Sequence, residues 1–155
     1  MISTRLQDFL EQRGAAYTHT QHPLAYTARE VAHAEHVPPY EIAKTVVFVT
    51  DNGYSMAVVP GNRVLDLQEL RAILGVQHLR LATEAELAQL FPDVELGAMP
   101  PFGTLYGMPV YVDSGLADQE EIVFNGGTHR DTIHMKFAEF QKLAEPMIVS
   151  FARVH

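Results

Sequence analysis

Residues 45–59, TVVFVTDNGYSMAVV, decide the fold class of this chain. Two runs rich in β-branched, aromatic and other apolar residues, 45–50 and 54–59, flank the tripeptide Asp51-Asn52-Gly53. An Asn-Gly pair between two such runs is typical of a tight β-hairpin, because its central positions need backbone conformations that Asn and Gly tolerate. The segment therefore predicts two antiparallel strands near the middle of the chain.

Helices are predicted around this hairpin from their capping residues. Ser3 and Asp66 are suitable N-caps, and Thr27 and Thr83 each begin a capping-box pattern with a Glu three residues later. The first helix should stop at Gly14, the Thr27 helix near His36, the Asp66 helix at Gly75 and the Thr83 helix at Phe91-Pro92, and a last short helix covers 138–143.

Further strands are predicted at 17–21, 78–82, 105–113, 121–124, 132–136 and 147–154, with Ser114-Gly115 and Gly126-Gly127 as turns. The strands group into hairpins that helices separate. This order predicts an α+β fold with a largely antiparallel or mixed sheet, rather than a regular alternation of strands and helices. A length of 155 residues fits a single domain, 1–155.

The composition limits the functions that the chain can have. It is 47% apolar and 19% charged, and no apolar run approaches the roughly 20 residues that a membrane span needs. We therefore expect a cytosolic protein with no membrane partner. The chain lacks cysteine, which excludes disulfides, thiol nucleophiles and thiolate metal ligands.

The net charge of -8 bears on nucleic-acid binding. Proteins that cover many phosphates show a basic face, so extensive contact with a duplex, and DNA as a partner, are not expected. A short contact with a single-stranded end needs only a few cations around one pocket. The candidate cations are Lys44, Arg63, Arg80, Arg130 and Lys136.

Two segments predict a small binding pocket. Lys44 stands alone at the start of the apolar strand 43–49, where a cation often faces a ligand or solvent. Half the chain later, residues 97–103, GAMPPFG, place two prolines between two glycines, which stiffens the loop and leaves N–H groups available. Together they favour a pocket for a small anionic or carbonyl-bearing ligand. The alternatives are a solvated strand-end lysine and an ordinary connecting loop.

Familiar catalytic and metal-binding motifs are absent from the sequence. It contains no nucleophile elbow, P-loop or His-Glu-x-x-His pattern. Two histidine pairs, His33 with His36 and His129 with His134, have spacings that could share a metal. Two ligands alone rarely hold zinc, so neither a metal site nor a cofactor is predicted.

The chain resembles the YbaK/prolyl-tRNA editing-domain family over roughly residues 17–146. The resemblance rests on five landmarks in order: His22-Pro23, Ala43-Lys44-Thr45, the loop from Gly97 to Pro101 that continues into Phe102-Gly103, Asp113 after a strand, and Gly126-Gly127-Thr128-His129. The family consists of aminoacyl-tRNA deacylases, and it implies a curved, barrel-like mixed sheet flanked by helices.

The resemblance also implies a site and a reaction. Lys44 and His129 are expected to be catalytic, and the substrate is expected to contact Gly97, Ala98, Met99, Pro100, Pro101, Phe102, Gly103 and Asp113. The reaction is hydrolysis of the ester between an amino acid and the 3′-terminal ribose of a mischarged tRNA, with alanine on the tRNA for proline as the expected substrate. Prolyl-tRNA synthetase is a candidate partner. A non-catalytic module that binds a tRNA end, and a hydrolase for small esters, remain alternatives.

Overall fold

A computed structural model describes residues 2–154, and its largest sheet contains the predicted hairpin. This sheet has the strand order β5-β2-β3-β6-β9. Its strands are β2 (Ala43–Thr50), β3 (Gly53–Pro60), β5 (Leu79–Leu81), β6 (Val110–Asp113) and β9 (Met147–Val149). β2 pairs antiparallel with both β3 and β5, whereas β6 runs parallel to β3 and to β9, so the sheet is mixed.

Two smaller sheets complete the β-structure of the described residues. In one, β8 (Asp131–Lys136) lies between β1 (Thr18–Gln21) and β7 (Glu121–Asn125), and both pairings are antiparallel. In the other, β4 (Arg63–Leu65) pairs antiparallel with β10 (Ala152–Val154). A single parallel bridge between Ile42 and Val123 connects the start of β2 to β7. This bridge brings the end of the three-stranded sheet close to the start of the hairpin.

Within residues 2–154, six α-helices accompany these sheets: α1 (Thr4–Gln12), α2 (Ala28–Glu35), α3 (Leu67–Leu74), α4 (Glu84–Leu90), α5 (Ser114–Ala117) and α6 (Phe137–Ala144). Ser3 and Asp66 cap α1 and α3, and Thr27 and Thr83 form complete capping boxes, as the sequence predicts. Short 3-10 helices cover 39–41 and 103–106. None of the helices within residues 2–154 combines the length and the apolar character needed to cross a membrane.

The main hydrophobic core is centred on aromatic side chains. Phe102 is fully buried, and its ring centroid lies 5.5 Å from those of Phe9, Phe124 and Phe140. These partners come from α1, β7 and α6, so one residue of the glycine-proline loop joins three elements. Burying a large apolar side chain stabilises the fold by roughly 1.5–3 kcal/mol. The loop is therefore part of the core as well as of the surface.

The α+β class is confirmed, but three local predictions are wrong. Instead of one strand, residues 105–113 contain the end of the 3-10 helix 103–106 and then the four-residue strand β6, because Gly107 turns the chain at a φ of 68°. The segment 147–154 is split between two sheets as β9 and β10. Ser114-Gly115 begins the short helix α5 rather than a turn.

Candidate active site

A cavity of about 450 Å³ lies where the start of β2, the N-terminus of α2 and the glycine-proline loop meet. Most of its wall is apolar and includes Val31, Ile42, Val47 and Phe124. The predicted site residues Lys44, Gly97 and Met99 also line it. Segments that are 53 residues apart in sequence, Lys44 and Gly97, therefore share one cavity.

Lys44 gives the cavity its charge. Among the described residues that line the cavity, it carries the only ionisable acidic or basic group apart from the phenol of Tyr26. Its side chain is exposed, and its ammonium has no hydrogen-bond or ion-pair partner within residues 2–154. An unpaired cation in a mostly apolar concave wall attracts an anionic ligand. The other four candidate cations of the sequence are not part of this wall.

The front of the glycine-proline loop faces the cavity. Gly97 has a φ of 85°, which favours glycine, and a Cβ there would lie 3.5 Å from Cε1 of His129. Gly97 and Met99 line the cavity, whereas Ala98 is fully buried. The loop can therefore present backbone groups to a ligand only over its first residues.

The back of the loop belongs to the protein interior. Residues 100–103 are buried and do not line the cavity, and Phe102 lies in the core. A Cβ on Gly103 would collide with the carbonyl oxygen of Met108, so this glycine is required by close packing. Ala98 and residues 100–103 are expected to contact the substrate, but in the structure they are buried behind the cavity wall.

His129 contacts the loop rather than the cavity. Its Nε2 lies 2.6 Å from the carbonyl oxygen of Leu96, and its backbone N–H donates to Oε1 of Glu95 over 2.7 Å. Because a carbonyl can only accept, Nε2 carries the proton in this hydrogen bond. The ring also packs against Tyr26 at a centroid distance of 4.8 Å. His129 therefore contacts residues of the cavity wall but does not line the cavity itself.

Asp113, which the resemblance places in the pocket, does not line this cavity. It is 4% exposed at the end of β6. Oδ1 accepts the backbone N–H groups of Phe151 and Ala152 over 2.9 and 2.8 Å, and Oδ2 accepts that of Gly115 over 2.9 Å. The carboxylate thereby ties β6 to the chain that enters β10. Its role in the structure is to hold these segments together.

Sequence reasoning missed two polar side chains of the cavity, Thr45 and Asn125. Oγ1 of Thr45 and Oδ1 of Asn125 are buried and have no hydrogen-bond partner within residues 2–154. Buried polar atoms are nearly always paired, so these two are exceptions, and each must rotate toward the cavity before it can reach a ligand. The only sequence signals were their positions, beside Lys44 and directly before Gly126-Gly127.

Asp131, which no sequence pattern singles out, holds the turn that carries His129. Its carboxylate accepts hydrogen bonds from Nε2 of His19 at 2.7 Å and from Oγ1 of Thr128 at 2.6 Å. Burial by itself would raise the pKa of Asp131, but hydrogen bonds to the ionised form lower the pKa below its usual value. The ionised carboxylate thus fixes the conformation of residues 128–131.

The histidine pairs of the sequence have other partners. Nε2 of His134 lies 2.7 Å from Oε1 of Glu35, which ties β8 to α2, and His129 bonds the Leu96 carbonyl. Within residues 2–154 no group of three or more potential metal-ligating side chains is present.

Comparison with known proteins places this site in context. The family model for the aminoacyl-tRNA editing domain matches residues 22–143. A proline–tRNA ligase of Thermosipho africanus (strain TCF52B) is 34% identical over 70% of the chain, which spans 19% of the ligase. The multifunctional Ser/Thr-tRNA deacylase ProXp-y of Escherichia coli (strain K12) is 29% identical, over 96% of this chain and 92% of that protein.

The fold comparison agrees with the sequence comparison. The crystal structure of a candidate trans-editing enzyme for prolyl tRNA synthetase superimposes with a TM-score of 0.88 and 29% identity, covering 97% of this chain and 96% of that one. The family match includes both Lys44 and the glycine-proline loop. This chain therefore belongs to the aminoacyl-tRNA editing domain family.

Proposed function

We propose that this chain is an aminoacyl-tRNA deacylase that acts in trans on the ester between a small amino acid and the 3′-terminal ribose of tRNA. The observation that carries the proposal is the unpaired cation of Lys44 in the wall of the same cavity as Gly97. A tRNA end offers phosphates to the cation and an ester carbonyl to the backbone of the loop. Family membership supports the same reaction.

The proposed chemistry needs no covalent intermediate. A water molecule adds to the ester carbonyl, the bond between the carbonyl carbon and the ribose oxygen breaks, and that oxygen leaves with a proton as a hydroxyl group. In this scheme Lys44 binds a phosphate of the tRNA end or fixes the ribose, and the N–H of Gly97 stabilises the developing oxyanion. A preorganised donor of this kind is worth roughly 2.7–4 kcal/mol in transition-state stabilisation.

Alanine on the tRNA for proline is the first candidate substrate. A synthetase site that accepts proline discriminates poorly against a smaller amino acid, because a missing methylene is worth only about 1–3 kcal/mol. A second site can instead exclude proline by its size. The loop that would do so is stiffened by Pro100 and Pro101, which are buried behind the cavity wall. Prolyl-tRNA synthetase is the natural partner in this scheme.

Serine or threonine on tRNA is the second candidate, and a specific observation favours it. Oγ1 of Thr45 and Oδ1 of Asn125 are buried without partners in the cavity wall, within the described residues. Once the two side chains rotate toward the cavity, a hydroxylated substrate could bond them, whereas alanine would leave them unpaired. A site built to hydrogen-bond a substrate hydroxyl can reject the analogue without it by a large factor. The relative named a Ser/Thr-tRNA deacylase is consistent with this candidate.

A panel of mischarged tRNAs tests the proposal. The protein is incubated with Ala-, Ser-, Thr- and Pro-charged tRNA for proline, and with Ser and Thr on their own tRNAs, and the remaining ester is followed over time. Clearance of Ala-tRNA for proline, with Pro-tRNA spared, supports the first candidate, and preferential clearance of Ser or Thr supports the second. If no charged tRNA is cleared, the chain is a binding module; if free aminoacyl esters are cleared equally well, it is a small-ester hydrolase.

A further inference from the structure

We infer that Glu95 is a positioning residue, which together with His129 sets the direction of the Leu96–Gly97 peptide at the cavity. The inference rests on the proposed function for its catalytic consequence, and it assigns a role to a residue outside the cavity wall. Glu95 is exposed, and neither Glu95 nor His129 lines the cavity. Their effect on the reaction therefore passes through the loop.

Three hydrogen bonds join residues 95 and 96, which directly precede the glycine-proline loop, to the turn at 126–129. The backbone N–H of Glu95 donates to the carbonyl of Gly127 over 2.8 Å. In return, the backbone N–H of His129 donates to Oε1 of Glu95 over 2.7 Å, and the ring of His129 donates through Nε2 to the carbonyl of Leu96 over 2.6 Å. Hydrogen bonds run in both directions between the two segments, so each segment restrains the other. We call these three bonds the Glu95–His129 clamp.

The clamp determines where the N–H of Gly97 points. The carbonyl of Leu96 and the N–H of Gly97 belong to one peptide unit, and no peptide bond in the described chain is cis. In a planar trans peptide these two groups point in opposite directions. Since the carbonyl is held by His129, the N–H is directed away from His129. Gly97 itself lines the cavity, so this is the donor that the proposed oxyanion site requires.

The loop needs such a clamp because its conformation is unusual. Gly97 has a φ of 85°, and glycine is the residue with the greatest freedom to leave that conformation. The hydrogen bond to the preceding carbonyl and the bonds through Glu95 restrict this freedom from the N-terminal side. The turn that carries His129 is itself fixed by Thr128 and Asp131. The orientation of one N–H group thus depends on a chain of contacts that leads back to β8.

Two substitutions of Glu95 distinguish the effect of its hydrogen-bond acceptor from the effect of its negative charge. Glu95→Ala removes the acceptor for the N–H of His129, whereas Glu95→Gln keeps an amide oxygen at the same position. With the tRNA substrate that the wild type clears best, we expect Glu95→Ala to lower kcat by ~10-fold or more with KM within about twofold, because a displaced donor acts on the transition state. Glu95→Gln should restore most of kcat. Asp66→Ala is the matched control, since it also removes a carboxylate that accepts a backbone N–H, that of Glu69, but far from the cavity.

A second readout does not depend on activity. Nitrogen chemical shifts of the histidine rings should show the Nε2–H tautomer for neutral His129, and its Nε2 proton should exchange slowly with solvent. Glu95→Ala should speed that exchange, while Glu95→Gln and Asp66→Ala should not. A wild-type kcat in Glu95→Ala, an equal loss in Glu95→Gln, or an Nδ1–H tautomer would overturn the inference. If the wild type clears no substrate, the proposed function fails, and the ring signals still decide whether the clamp exists.

Discussion

Lys44 is paired with Val59 across the antiparallel register of β2 and β3, so an exposed cation stands opposite a fully buried valine. The strand β2 is therefore anchored in the fold by its buried side chains, such as those of Ala43 and Val47, rather than by Lys44. Its ammonium has no partner within the described part of the chain. A substitution of Lys44 should therefore remove the charge of the cavity with little effect on the stability of the fold.

Lys44→Ala should abolish or severely reduce deacylation while leaving the fold intact. The cation of the cavity is lost, but an exposed substitution of this kind usually changes the free energy of unfolding by less than about 0.5 kcal/mol. Single-turnover deacylation and urea unfolding measure the two effects. Lys142→Ala, which removes an exposed lysine from α6, serves as the control. Near-normal turnover by folded Lys44→Ala would remove Lys44 from the site.

Gly97→Val should stop deacylation, and Gly53→Val should not. Both glycines have positive φ, 85° and 109°, so both substitutions strain the backbone to a similar degree. Only Gly97 also lines the cavity and presents its backbone there. The deacylation rates of the two variants test this prediction. Both rates are measured at a temperature well below the Tm of either variant, so that both proteins are folded. Equal effects on the rate would mean that the loop is merely structural.

Asp113→Ala should reduce stability rather than catalysis. The substitution leaves the three N–H groups of Gly115, Phe151 and Ala152 without their acceptor. An unsatisfied buried donor costs about 1–3 kcal/mol, so we expect a loss of at least ~2 kcal/mol in the free energy of unfolding. The kcat of the folded fraction, measured at low temperature, should remain that of the wild type. A selective loss of kcat without loss of stability would return Asp113 to the substrate site.

Binding of the tRNA end should depend only gently on salt. The chain has a net charge of -8, and Lys44 is the only cation among the described residues of the cavity wall. Each phosphate contact contributes roughly 0.7–0.9 to the slope of log affinity against log salt, so a slope near one or two is expected. Filter binding with a hydrolysis-resistant aminoacyl-tRNA analogue measures it. A slope typical of six or more contacts would reveal a basic surface elsewhere.

Asp131 should contribute an acid-sensitive part of the stability. Although burial opposes ionisation, hydrogen bonds from groups that include Thr128 and His19 hold its folded-state pKa below the unfolded value. A depressed carboxyl pKa adds stability that is fully present above the unfolded pKa of about 4 and is lost as the pH falls toward the folded pKa. Unfolding free energies from pH 6 to pH 2 should therefore decline less steeply in Asp131→Asn. An unchanged slope would contradict this assignment.

Much of the fold could be predicted because its signals are local. The Asp51-Asn52-Gly53 turn and the capping boxes at Thr27 and Thr83 are satisfied by neighbours within a few residues. The strand predicted at 105–113 failed because Gly107 and the packing around Gly103 override the β-prone composition. Such packing involves residues that are distant in sequence, and no local pattern reports it.

The candidate site likewise has residues that the sequence predicts and residues that only the folded structure reveals. The lone strand-end Lys44 and the stiff loop that begins at Gly97 predict a shared pocket, the resemblance supports it, and the structure brings both residues into one cavity. The place of Asp113 in the pocket rests on the resemblance alone, and its position in the structure is decided by the N–H groups of residues 151 and 152, which no spacing reveals. No sequence pattern points to Asn125. Its distinguishing feature is a buried side-chain oxygen without a hydrogen-bond partner among the described residues, and only the folded structure shows this.

The burial of Phe102 has a consequence for how the protein loses activity on heating. Because this ring packs against Phe124 and Phe140, the loop that ends at Gly103 cannot detach from the domain without breaking the aromatic cluster. Segments anchored in this way open only with the global transition, unlike lids that open at a small fraction of its free energy. Thermal inactivation and thermal unfolding should therefore coincide, and the cavity should hold its shape up to the temperature at which the whole chain melts.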